Sequence, residues 1–167
     1  MIVSQVEIDK AKHQQALEAL FQGLEQMCPE VIVLMGDYIS QENNEDESFE
    51  KFRSYFEQLG AIIRSGDYPC LRDLTQWVIM PSLSDPGVCQ IMPSFKLSDY
   101  FLQGFKGTGA NRVKKTMLAT NPMRISFRGK ELVFARYNYF KKIKKNHLAK
   151  FEAQQEKQRE EEKKESQ

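Results

Sequence analysis

The chain has 167 residues, is 41% hydrophobic and 28% charged, and carries a formal net charge of +1. That length and apolar share suffice for one buried core and one domain, while the near-neutral total charge excludes no partner class by itself. No apolar run reaches the roughly 18 to 20 residues of a bilayer-spanning helix, and the first residues lack a basic segment followed by an apolar signal core, so a soluble, non-exported chain is expected.

In chain order, Leu17, Leu20, Phe21 and Leu24 recur at three and four residues and predict a helix between Ala11 and Met27. "VIVLM" (31–35), between Pro29 and Gly36, is a continuous apolar run of strand length and suits a strand covered on both faces. Phe49, Phe52, Phe56, Leu59 and Ile63 mark a second amphipathic helix, and "WVIM" (77–80) a second buried strand. A short helix around Leu97 to Phe105 precedes a Gly-rich basic linker. "TMLAT", "MRISF" and "ELVFARY" then read as three short strands, the last two joined by "RGK" as a hairpin. Alternation early and clustered strands late predict an α/β domain with a mainly parallel sheet and an antiparallel addition. Ligands of such sheets sit beyond the carboxyl ends of the strands, where "GDYIS" and "PSLSDPG" begin.

Cys28, Cys70 and Cys89 are odd in number and lack CxxC or Cys/His spacing. They are expected to be reduced, buried thiols, neither a disulfide frame nor a zinc site, in an intracellular protein. Charge is segregated along the chain: five acids and no base lie between Gln41 and Glu50, and thirteen Lys or Arg face the single acid Glu131 between Lys106 and Lys150. The basic stretch reads either as solvated surface or as a face for nucleic acid or an acidic protein. Its densest cluster, Lys141, Lys142, Lys144 and Lys145, is the candidate for weak, sequence-indifferent DNA contact. "FKGTGANRVKK" lacks the spacing of a phosphate-binding Walker loop. The final "EAQQEKQREEEKKESQ" has no large apolar side chain and is expected to be a frayed helix or disordered tail.

The two strand-end loops, together with "IVSQVEID" at the start, resemble the calcineurin-like metallophosphoesterase fold. Active members of that fold place D-x-H after the first strand, G-D after the second and G-N-H-D after the third, because two divalent ions need a bridging carboxylate, imidazoles and an amide oxygen. Here Gln5 and Glu7 stand in the first motif, and Gly36 and Asp37 keep the second. Leu83 stands at the metal-binding asparagine and Ser84 at the catalytic histidine, followed by Asp85. The only histidines, His13 and His147, lie in the first helix and the basic terminal segment, away from ligand positions. The resemblance therefore implies an extinct site with no metal, cofactor or small-molecule substrate. On this reading Asp37 accepts backbone hydrogen bonds in its turn, and Gly36 is kept for backbone freedom.

"VLMGDYIS", "WVIMPSLSDPG", "IMP", "ATNPMRI" and "GKELVFARYN" follow one another in the order seen in the B subunits of eukaryotic replicative DNA polymerases, and are most similar to the epsilon branch of that family. Departures from the family pattern are Ser82 for glycine, Ser94 and Phe95 for Arg-Pro, Met123 for cysteine, and Tyr137 and Asn138 for an acidic pair. The resemblance covers residues 1 to 145. It implies a partial, degenerate phosphoesterase-like domain over 1–150, a charged tail over 151–167, and a chain that is either a fragment or the product of an incomplete gene model. It further implies a nuclear, non-catalytic accessory subunit that docks on the carboxy-terminal zinc domain of the polymerase epsilon catalytic subunit. The alternatives are a B subunit of the delta or alpha polymerase and, more remotely, an active metallophosphoesterase.

Overall fold

Alternate residues of the two apolar runs face opposite ways. The computed structural model, which describes residues 1–40, 49–88, 91–140 and 143, shows why neither run alternates in polarity. In β2 (Val31–Met35), Ile32 and Leu34 enter a large core beneath helices, while Val33 enters a second, smaller core on the other face of the sheet. Trp77 and Ile79 of β3 (Gln76–Met80) join the first core, Val78 and Met80 the second. Cover on both faces selects apolar side chains at every position, as expected for a parallel sheet.

That sheet has the order β1-β2-β3-β4, with β1 (Ile2–Ser4) and β4 (Thr116–Leu118) at its edges and all neighbours parallel. The crossovers run through α1 (Ala11–Met27), through α2 (Phe49–Ser65) and α3 (Pro69–Asp73), and through α4 (Asp99–Lys106). An antiparallel hairpin, β5 (Met123–Phe127) and β6 (Lys130–Phe134), forms a separate two-stranded sheet. Its Met123, Ile125 and Phe134 close the smaller core against Val33, Val78 and Met80.

Trp77 anchors the helical side. Its ring meets Phe21 and Phe105 edge-on at 5.7 and 5.6 Å, and its indole N–H donates to the Leu71 carbonyl at 2.7 Å, so burial leaves no polar atom of the ring unpaired. Each such fully buried large side chain contributes about 1.5–3 kcal/mol over an exposed one. The α4 helix starts later than its apolar pattern suggests because Ser98 caps it, accepting from the Tyr100 N–H at 3.3 Å, and Gly107 ends it. Phe49, predicted on the buried face of α2, is 58% exposed: as the first residue of the helix it lies at the margin of the core.

The expectation of reduced, buried thiols is overturned at Cys28 and Cys70. Cys28 and Cys70 are joined by a disulfide, with Cα atoms 5.7 Å apart. Helix packing makes the pair: Cys28 ends α1 in a left-handed conformation (φ 45°), and Cys70 lies in the first turn of α3, which packs against α1. Glu25 of α1 reinforces the junction by accepting from the Cys70 and Leu71 N–H groups at 2.7 and 3.0 Å. Spacing of 42 residues gave no hint of this proximity. Cys89, the acidic stretch over 41–48 and the tail over 151–167 lie outside the described residues.

The chain divides into two compact units, Met1–Arg136 and Tyr137–Gln167. Both sheets, helices α1 to α4 and every site residue discussed below, apart from the lysine cluster, belong to the first.

Candidate functional site at the strand ends

The loops after β1, β2 and β3 are stitched together by main-chain hydrogen bonds. Glu7 and Ile8 donate to the carbonyls of Asp37 and Tyr38 at 3.0 and 2.7 Å, and Gly36 donates to Met80 at 2.8 Å. Gln5, Glu7 and Asp37 all have positive φ (59°, 40° and 57°). For side chains other than glycine this costs of order 1–3 kcal/mol each, a cost that clusters where loops are held for a site. Gly36 itself lies outside the left-handed region; its role is close approach, since a Cβ there would fall 2.0 Å from the Ser82 nitrogen. The expected backbone freedom belongs to its neighbour Asp37.

A guanidinium reaches the β2 loop. Arg136, just beyond β6, forms an ion pair with the Asp37 carboxylate, both side chains being mostly buried. The other carboxylate oxygen of Asp37 accepts from the Ser84 hydroxyl at 2.6 Å. Burial alone would raise the Asp37 carboxyl, but hydrogen bonds from Ser84 and Ser82 and the Arg136 charge outweigh it and hold the group below the ordinary aspartate value. Asp37 is therefore an anion with its charge already neutralised by a side chain.

The role expected of Asp37, accepting backbone N–H groups, belongs to Asp85. One Asp85 oxygen accepts from the Tyr38 N–H at 2.8 Å and the other from the Ser82 N–H at 2.7 Å, which ties the β3 loop to the β2 loop. Burial pushes its carboxyl up to about 6, with Asp37 adding to the rise and the two amides opposing it. Tyr38, beside it, is fully buried, and its hydroxyl donates to the carbonyls of Leu34 and Met80 at 2.8 and 3.0 Å. Asp37 cannot fill this role because its carboxylate is turned toward Ser84 and Arg136.

Glu7 makes local contacts. It accepts from Lys10 at 2.8 Å and from Gln5 at 3.3 Å, and His13 Nδ1 lies 3.5 Å away. His13 thus reaches the first loop after all, brought there by the first turn of α1, yet among the described residues no group of three or more His, Cys, Asp or Glu could hold a metal ion. Leu83, half-buried, offers no lone pair, and Ser84 is engaged with Ser82 and Asp37. These residues do not fit a divalent metal. Lys141, Lys142, Lys144 and Lys145 lie outside the described residues.

Two residues that the sequence did not single out organise the site. Arg136 was one basic residue among thirteen, with nothing local to mark it. Asn121, fully buried in "ATNPMRI", forms an isolated antiparallel bridge with Ser94 of "IMPSFKL" and binds the main chain of Arg136 through its amide. The signal was the recurrence of both motifs in order, without their mutual contact.

Fold and site define an α/β domain whose strand-end loops are closed by an aspartate–arginine pair. The family model for the B subunit of DNA polymerase alpha/epsilon matches residues 1–163, and the chain belongs to that family. It is 25% identical over 151 residues to the B subunit of DNA polymerase epsilon from Arabidopsis thaliana, covering 89% of this chain and 28% of that protein. It is 26% identical over 148 residues to DNA polymerase epsilon subunit 2 of Drosophila melanogaster, covering 89% and 26%. With DNA polymerase epsilon subunit 2 of Mus musculus identity is 25% over 146 residues, covering 87% and 26%. The chain spans about a quarter of the length of these relatives.

Proposed function

We propose that this chain serves as a non-catalytic accessory subunit of an epsilon-type DNA polymerase, working in the nucleus in chromosomal replication and repair, and that its loops are those of an inactivated calcineurin-like phosphoesterase. The observation that carries the proposal is Arg136. Its guanidinium neutralises Asp37, the carboxylate kept in the second motif of the metal-binding pattern, so the charge that divalent ions would supply comes from the protein itself. A fixed side chain stabilises the loops without offering a water or hydroxide for attack, so the arrangement binds loops together and does no chemistry. Names of the epsilon type among the relatives support the epsilon polymerase over delta or alpha.

The degenerate domain on this reading runs over 1–150 and the charged tail over 151–167, and the partner is the carboxy-terminal zinc domain of the catalytic subunit. The test is affinity purification of the full-length product with identification of its large partner, alongside assays for phosphomonoester and phosphodiester hydrolysis with manganese, nickel or zinc. Recovery of the epsilon catalytic subunit and no turnover above a metal-only blank are expected. Recovery of the alpha or delta catalytic subunit instead, or turnover abolished by Asp37→Asn, would overturn the proposal.

A further inference from the structure

The Cys28–Cys70 link joins two elements that other interactions already hold side by side. The Cys28 N–H donates to Leu24 at 2.9 Å, and Glu25 holds the Cys70 N–H at 2.7 Å. Just beyond Cys28, the Pro29 carbonyl accepts from the Thr75 hydroxyl at 2.8 Å and the Glu30 carbonyl from the Gln76 N–H at 2.9 Å. The Cα separation of 5.7 Å falls within the range a disulfide needs. Both positions are therefore also held by the backbone and by Glu25, through contacts that do not involve the sulfur atoms.

The two cysteines differ in access. Cys70 is 8% exposed, whereas Cys28 is open to solvent and contributes to the wall of an apolar groove of about 480 Å³ with Ile2, Val31, Ile125, Phe127 and Leu132. A buried thiol behind an exposed one, at bonding distance, is the arrangement of an attacking and a resolving cysteine.

We propose that Cys28 and Cys70 are a reversible dithiol–disulfide couple that, when closed, ties the end of α1 to α3 and stiffens the Cys28 wall of the groove. A low-molecular-weight disulfide of the glutathione type is the oxidant. The Cys28 thiolate attacks one of its sulfurs and expels the other as a thiolate, leaving a mixed disulfide. Cys70 then loses its proton and attacks the Cys28 sulfur, expelling the second small thiol. Two electrons pass from the protein pair to the oxidant, and two protons complete the released thiols.

The test equilibrates the full chain, carrying Cys89→Ser to prevent exchange with the third thiol, against graded ratios of reduced and oxidised glutathione. Thiol state is read by alkylation and mass, and backbone hydrogen exchange is measured at both ends of the series. The expected result is one two-electron transition, a glutathione adduct on Cys28 trapped by Cys70→Ser, and exchange at residues 28–33 and 69–75 slowed about tenfold in the oxidised form. Two independent glutathione adducts without an internal disulfide would overturn the proposal. So would equal exchange of those segments in both states, a measurement that depends on neither the Cys28 nor the Cys70 variant folding.

Discussion

Asn121 binds Arg136 by both of its main-chain groups: Nδ2 donates to the Arg136 carbonyl at 2.8 Å, and Oδ1 accepts from the Arg136 N–H at 3.0 Å. A side-chain amide thereby substitutes for a neighbouring strand at the point where β6 ends, and fixes the backbone from which the arginine reaches Asp37. Position of the charge and position of the chain are thus set by one residue.

Asn121→Ala removes both bonds and leaves two main-chain groups of Arg136 partly buried without partners. A loss of about 2 kcal/mol is expected, readable by denaturant unfolding. The Asp37 carboxyl, with its cation less firmly placed, should also titrate closer to the ordinary aspartate range by carbon-detected NMR. Unchanged stability and titration would show that the grip is incidental.

The ion pair itself is best measured as a double-mutant cycle. Arg136→Met and Asp37→Asn should each destabilise the protein by about 2 kcal/mol, because each leaves a mostly buried polar partner uncompensated. The double variant should lose clearly less than the sum of the two. Strict additivity would mean that the charges do not interact.

Asp85 makes stability depend on pH in a defined sense. With its folded carboxyl raised to about 6, above the value of 3.8 for an unperturbed aspartate, the folded chain holds the proton more tightly than the unfolded one. Its contribution is fully present below 3.8 and is lost as pH rises through about 6; Asp37, shifted downward, acts oppositely and is lost as pH falls below 3.8. Asp85→Asn should flatten the decline between about pH 4 and 6. It should also cost about 1–3 kcal/mol, since an NH₂ group would face one of two backbone donors. Unfolding at pH 4.5 and 7 checks both statements.

Two glycines should respond in opposite directions. A Cβ at Gly36 would collide with main-chain and side-chain atoms of Ser82, so Gly36→Ala should cost about 3 kcal/mol or prevent folding. Gly23, within α1, has nothing within 4 Å of the added carbon, and Gly23→Ala should stabilise by about 0.5–1 kcal/mol. Thermal unfolding of the two variants side by side is the measurement.

Binding to DNA is predicted to be weak, indifferent to sequence and steeply reduced by salt. Replacing Lys141, Lys142, Lys144 and Lys145 together by Gln should weaken it and lower the slope of log affinity against log salt by about 0.9 for each phosphate no longer neutralised. Titration of labelled single- and double-stranded DNA at several salt concentrations reads both. An unchanged slope would assign the cluster to solvated surface.

Most elements were legible because each rests on local pattern; β1, three residues long, was not. Apolar spacing in "ALEALFQGL", the unbroken runs "VIVLM" and "WVIM", and the turn residues of "RGK" each record a periodicity or a backbone requirement carried within a few residues. The short α3 carried too few turns for such a signal. The lack of a donor atom at Leu83 could likewise be read, because a side chain without a lone pair cannot acquire one by folding. Which partners the loop carboxylates take could not be read. Arg136 and Asp37 are 99 residues apart, Asn121 and Ser94 are 27, and Cys28 and Cys70 are 42. Each pair exists because strands and helices were first packed by apolar burial, which is insensitive to direction and leaves polar groups to find partners among whatever it brings together. Residue types and local spacing therefore determined most of the elements, whereas which carboxylate meets a cation, which meets the backbone and which thiols meet each other were decided only by the tertiary fold.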